Sequence, residues 1–342
     1  SAYSLNGENL IIAKTEKDLP IGAGDSGSPL LTMDNRIAGS LCYGYYYNNH
    51  QFIARSIEDV ISLKDFVPTI QEKRTSGIKN NKRLPLAKSI HGLHERFMQD
   101  EEKLHNSKRM ISKPFGKKAP LLKRNDIDFN IIPGMSIAVH EISGDVLQYY
   151  SVGTLSYVNE NKLFAFGHNY KLAGEVAKPV SIAYMHTMIE GLERAHKMAT
   201  PHTIPIGALI YDGFSGILID KNSEPQTFTV STNVKVYDNV EKIYNHIVSR
   251  NESYTDEFYS QIAMLASIDY EFNYLIKGGQ ATGAIKVTRE NSEKIYNFSV
   301  TSDTDIIHRV YNVMYYAYSC YYYGEVCDNS KIMNVEMNIA IH

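Results

Sequence analysis

The chain has 342 residues, 43% of them apolar and 21% charged, and 35 Lys and Arg against 38 Asp and Glu leave a net charge of −3. That composition supports packed cores and excludes a disordered or collagen-like chain, and the length suggests two domains or one large two-lobed one. No run of about 18 apolar residues occurs, so no membrane span is expected. The opening SAYSLNGENL lacks a charged start followed by an apolar core, so no leader is expected within it.

Residues 1–65 read as a β-rich lobe. ENLIIAKT, SPLLTM, RIAGSLCYGYYY and QFIARS are apolar runs of strand length, broken by Gly, Asn and Asp. SIEDVISL then switches to helical spacing, with Ser56 as N-cap and Glu58 and Asp59 in the first turn.

Residues 66–127 differ in character. From Lys73 to Arg124 there are 15 Lys and Arg and 4 Asp and Glu, a local +11, which leaves −14 on the rest of the chain. The stretch 89–108 predicts a solvated helix with a poor apolar stripe, and the segment as a whole predicts a loosely packed basic connection. Its charge alone is a weak argument for a nucleic-acid partner, and none is expected.

Residues 128–235 return to strands: MSIAVHEI, VLQYYSVGTLSYV, KLFAFGH, IGALIYD and TFTVSTNVKVY, with a hairpin turn at Asn159–Asn161. One helix is predicted among them over about 179–198, from the 3, 4, 3 spacing of Ile182, Met185, Ile189 and Leu192. Residues 236–342 predict an α+β region, with helices near 239–250, 255–270 and 303–323 and strands GAIKVT, KIYNFSV and NVEMNIAI. Gly278 to Gly283 predicts a turn, since it lacks the Gly-Lys-Ser/Thr ending of a phosphate loop. Three cysteines are too few for a disulfide framework; Cys320 and Cys327 are equally readable as a pair or as two thiols.

The sharpest chemical signal is Gly22-Ala-Gly24-Asp25-Ser26-Gly27-Ser28-Pro29-Leu30. A serine set between glycines and followed by a strand has the form of a nucleophile turn. The glycines let the backbone turn tightly, and the amides of Gly24 and Ser26 are the pair that an oxyanion hole would use. A serine hydroxyl needs a base brought to it in space. Of twelve histidines, His168 is the best placed: it ends the apolar run Leu163–Phe166, follows Gly167 and precedes Asn169. His186 and His196, with Glu190 nearby, lack a third ligand for a metal site. The helical spacing of Tyr315 to Tyr323 predicts packing rather than a stacking platform, whereas Tyr45 to Tyr47 predict a surface hairpin or part of a substrate groove.

Three blocks carry a family resemblance. GDSGSPLLTMDNRIAGSLCYG with FIARSIEDVI is the first, PGMSIAVHEISGDVLQYYSVGTLSYVNENKLFAFGHNY the second, and HTIPIGALIYDGFSGILI the third. Together they resemble the SpoIVB-type serine peptidases, bacterial secreted or periplasmic proteins with a trypsin-like nucleophile turn. The resemblance implies Ser26 as nucleophile and His168 as base, in a Ser-before-His order. It implies a polypeptide substrate, a secreted or cell-envelope location and no cofactor or metal. The chain departs from the family pattern at Asp25, where relatives have Met, and at Asn169-Tyr170, where they have Pro-Phe. Ile11 stands where the family acid is expected, so the nearest carboxylates are Glu8 and Asp18, and Asp18 is taken as the candidate acid. Asp25 should point away from the histidine on its tight turn, and Asp212 should cap a turn.

The expectation is therefore an α+β, β-dominated, trypsin-like peptidase of two β lobes in permuted order, divided at 1–65, 66–127, 128–235 and 236–342. The missing acid keeps a second expectation alive, a catalytically inactive peptidase fold that binds peptide or acts as a scaffold.

Overall fold

The structure, a computed structural model, describes residues 2–5, 8–15, 21–45, 48–65, 81–83, 86–93, 97, 111–113, 130–189, 196–237, 240–251, 253–272, 277–323 and 330–342. It is β-dominated with few helices. The chain divides into two compact units, one formed by residues 1–88, 118–140 and 150–225 and the other by residues 89–117, 141–149 and 226–342.

The first unit holds two β structures. The N-terminal one is a six-stranded antiparallel sheet in the order Ala2–Leu5, Glu8–Lys14, Asn48–Ser56, Ile37–Tyr45 and Pro29–Leu31, with Asn81–Arg83 also paired to Ile37–Tyr45. The second is a closed six-stranded antiparallel barrel. Its strands run Ser136–Gly144, Gly174–Ile189, Gly207–Gly213, Gly216–Asp220, Lys162–Ala165 and Gln148–Asn159, and pairing of the last with the first closes the ring. Two-residue alternation separates inside from outside. Leu163, Ala165, Ile217 and Ile219 join Ile137, Val139, Val180 and Leu209 in one buried cluster. The intervening Phe164 and Leu218 pack with Tyr211 against Ile57, Val60 and Leu63, which lie on the short helix Ile57–Ile61 and the 3₁₀ turn after it. Ser56 caps that helix as predicted, its Oγ accepting from the Asp59 amide at 3.2 Å. The predicted hairpin at Asn159–Asn161 is present, with Asn159 opposite Lys162 and Glu160 at a φ of 54°.

The second unit is a sheet backed by two helices. Its strands run Glu293–Ser302, Gly279–Arg289, Ile332–Ile341, Thr227–Val236 and Lys242–Ser249. Thr227–Val236 and Ile332–Ile341 pair in parallel. The helices Ser253–Glu271 and Ile306–Tyr323 fall where the sequence predicts them and supply Ile262, Leu265, Val310 and Met314 to the core.

Four expectations are corrected. Residues 179–189 belong to the barrel strand Gly174–Ile189 and 196–198 begin the strand His196–Pro201, so neither part is helical; 190–195, with Leu192, lie outside the described residues. The 3, 4, 3 spacing is coincidental: Ile182 is buried, while Met185 and Ile189 are 42% and 40% exposed. Ladders from 179–180 to residues 207–208, from 180–182 to Ile137–Val139 and from 183–189 to His196–Pro201 outweigh the local pattern. The helix expected near 239–250 is the strand Lys242–Ser249, whose Tyr244, His246 and Val248 point inward at two-residue intervals. In the basic segment, Ala87–His91 is a strand, and Ile90, Leu93 and Phe97 enter the second unit's core rather than a solvated helix face. The rest of 89–108 lies outside the described residues. Finally, Gly279–Gly283 is strand rather than turn, and Gly283 is needed because a Cβ there would sit 2.3 Å from the Asn338 carbonyl.

No helix among the described residues is long and apolar enough to cross a membrane. Cys42 is buried as a thiol whose Sγ donates to the Ile53 carbonyl. The side chains of Cys320 and Cys327, of Tyr45 to Tyr47 and of Tyr316 to Tyr323 lie outside the described residues; Tyr315 is half exposed.

Candidate active site

The turn that carries Ser26 is built by backbone hydrogen bonds between near neighbours. Asp25 N donates to Gly22 O at 3.1 Å, and Ser28 N to Asp25 O at 2.9 Å. Gly27 N donates to Leu41 O at 2.8 Å, which docks the turn on its own sheet. Gly24 and Gly27 have φ of 93° and 94°, a left-handed region open to glycine at little cost. A Cβ on Gly27 would lie 2.0 Å from the Thr154 carbonyl, so the residue after Ser26 has no room for a side chain. The amides of Asp25, Gly27 and Ser28 are committed to carbonyls.

His168 reaches the turn from the barrel. The strand Lys162–Ala165 ends and two successive left-handed residues follow, Phe166 at φ 73° and Gly167 at φ 64°. A phenylalanine there carries strain of about 1 kcal/mol or more. The strain is held by burial of its ring in the barrel core and by its amide on Thr154 O at 3.2 Å. The Arg55 guanidinium, itself buried, holds the Gly167 carbonyl from behind through Nε at 3.2 Å.

The two residues meet. Ser26 Oγ lies 2.8 Å from His168 Nε2, although 142 positions separate them. His168 Nδ1 lies 2.7 Å from the carbonyl oxygen of Asn169. A carbonyl only accepts, so Nδ1 carries the proton and Nε2 presents its lone pair to the Ser26 hydroxyl. This is the tautomer a general base needs, and a backbone acceptor sets it. Both side chains are enclosed, Ser26 at 0% and His168 at 4% exposure.

The carboxylates fall as follows. Asp18, the expected acid, lies outside the described residues. Asp25 turns to its own loop: Oδ2 accepts from Gly22 N at 3.0 Å, and Oδ1 sits 3.3 Å from Lys197 Nζ. Glu8 stands on the N-terminal strand Glu8–Lys14. Asp212 caps the loop that follows His168, accepting from the amides of Tyr170 and Lys171, each at 2.6 Å, and of Ala173 at 3.0 Å. Burial pushes the Asp212 carboxyl above the usual carboxylate range, against the downward pull of those amides.

Sequence reasoning missed Thr154 and Lys197. Thr154 ties the halves of the site together: its N–H donates to Ser26 O at 2.8 Å, its carbonyl accepts from Phe166, and its hydroxyl donates to Gly24 O at 2.9 Å. Lys197, 5% exposed, donates from Nζ to Thr154 Oγ1 at 3.0 Å. A mid-strand Thr and a lone Lys give no signal before their partners are known, although Thr154 stands in the GTLSYV stretch. A second buried pair, His140 Nε2 to Ser181 Oγ at 2.7 Å, was also not foreseen. Both its members sit within barrel strands, where no glycine turn aims amides at the hydroxyl. His186 bonds Thr200 Oγ1 at 2.8 Å. Among the described residues no group of three metal-ligating side chains gathers.

Comparison of the chain with protein-family models, with curated proteins and with solved structures finds no match.

Proposed function

We propose that the protein is a serine endopeptidase of SpoIVB-type resemblance, secreted or in the cell envelope. The closed barrel and the N-terminal sheet would correspond to the two β lobes of a trypsin-like architecture in permuted order. One observation carries the reading: a serine on a glycine turn donates to a histidine whose other nitrogen is already committed to a carbonyl.

In the mechanism this geometry supports, Ser26 Oγ attacks the carbonyl carbon of an extended polypeptide as its proton passes to His168 Nε2. The new oxyanion is held by the Gly24 and Ser26 amides. His168 returns the proton to the leaving amine, and water then resolves the acyl-serine by the same relay. The imidazolium formed in each half-reaction keeps its Nδ1–H on the Asn169 carbonyl, which a neutral acceptor stabilises less than a carboxylate would.

The test is labelling with a fluorophosphonate. Ser26 should be modified, Ser26→Ala and His168→Ala should each abolish labelling, and the double variant should lose no more than either single one. Absence of labelling across the pH range would turn the reading to its alternative, an inactive peptidase fold that binds peptide or acts as a scaffold. The burial of Ser26, 0% exposed, is the observation that favours that alternative.

A further inference from the structure

We propose that Asp212 is the positioning residue of His168, doing through the backbone what a triad carboxylate does by direct contact. The inference rests on the peptidase reading and deepens it. Asp212 is 1% exposed. It lies on the barrel strand Gly207–Gly213, and its two oxygens take three consecutive-loop amides, Tyr170 to Oδ1 and Lys171 and Ala173 to Oδ2. Those amides belong to the loop that begins at Asn169, whose carbonyl accepts the His168 Nδ1 proton.

The peptide link is the core of the argument. The carbonyl of Asn169 and the amide of Tyr170 are the two ends of one planar peptide group. Asp212 Oδ1 grips that group by its N–H at 2.6 Å, so it also fixes the plane in which the carbonyl faces Nδ1. A hydrogen bond accepted from the Tyr170 amide polarises the peptide so that its carbonyl oxygen becomes a better acceptor. Asp212, the 169–170 peptide, His168 and Ser26 thus form one relay. Leu172, in the same loop, has a φ of 59°, a conformation a leucine holds only when its surroundings impose it. The Asp212 carboxylate, gripping residues on both sides of Leu172, supplies that constraint.

The test reads the histidine directly. Imidazole ¹⁵N shifts of His168, assigned by their loss in His168→Ala, should show the Nδ1–H form as the dominant neutral tautomer in the wild type. In Asp212→Asn, where one oxygen becomes a donor facing donors, the Nδ1–H population should fall. The rate constant for fluorophosphonate labelling of Ser26 should drop by on the order of tenfold or more, since the histidine then spends less time in the tautomer that accepts the serine proton. Asp212→Glu should recover part of both. A folded Asp212→Asn with wild-type tautomer population would overturn the proposal, as would failure of both variants to fold, which would assign Asp212 to stability alone. If wild-type Ser26 is never labelled, the peptidase reading fails, and the ¹⁵N readout still decides the role of Asp212.

Discussion

Replacing Lys197 with Met should destabilise the first unit by about 3 kcal/mol. Its ammonium is enclosed, with side-chain exposures of 6% for Lys197 and 17% for Asp25 across a 3.3 Å ion pair. Breaking a buried pair by removing one partner costs roughly 3–5 kcal/mol, because the other charge stays behind. Two features set this case at the lower end. Asp25 keeps the Gly22 amide on Oδ2, and Thr154 Oγ1 still donates to Gly24 O after losing the Lys197 proton. Methionine also retains most of the lysine stem's apolar contact. The decisive measurement is a double-mutant cycle by denaturant unfolding, followed by far-ultraviolet circular dichroism. Asp25→Asn in the Lys197→Met background should restore roughly 1–2 kcal/mol, because the stranded carboxylate is gone. Strict additivity of the two substitutions would refute the claim that Lys197 acts by compensating Asp25, and would leave the turn held by its backbone bonds alone.

Other outcomes follow from single positions. Gly27→Ala places a methyl 2.0 Å from the Thr154 carbonyl at positive φ and should abolish accumulation of folded protein, whereas Gly134→Ala, also at positive φ but with nothing within 4 Å, should cost only about 1–2 kcal/mol; equal losses would show that space is not the determinant. Leu209→Ala, in the barrel core, should cost about 2–5 kcal/mol in the same unfolding assay. In the second unit, burial pushes the His246 pKa down to about 4, while its Nε2 accepts from Leu147 N at 3.1 Å. The unfolded chain binds that proton near pH 6.5, so the stabilisation is complete above pH 6.5 and is lost as pH falls toward 4, by up to about 3 kcal/mol. His246→Gln should flatten that part of the stability–pH curve, and an unchanged slope would assign it to other groups.

Much of the local chemistry is legible in the order of residues. The glycines around Ser26 allow only a tight turn, and Ser56 before Ile-Glu-Asp caps a helix. The short apolar run in KLFAFGH marks a strand. For the turn and the cap the determining contacts lie within a few residues, so pattern and structure agree. The stretch 179–189 fails this test. Its residues satisfy a helical spacing as well as a strand, and the choice falls to neighbours at 137–139, 196–201 and 207–208 that form ladders with it. Lys242–Ser249 is decided the same way by Thr227–Val236.

At the site, sequence by itself marks Ser26 as a nucleophile of the right form and His168 as a base at a strand end. It also implies, through family resemblance, that the two belong together. Their 2.8 Å contact spans 142 residues and exists only because the turn is docked on Thr154 while the barrel strand ends at Ala165. The acceptor at His168 Nδ1 is decided by tertiary structure alone. A backbone carbonyl has no residue identity to read, and Asp212 approaches it from a strand more than forty positions downstream of His168. Side-chain chemistry is written residue by residue, but an acceptor supplied by the main chain comes into being only when the chain has folded.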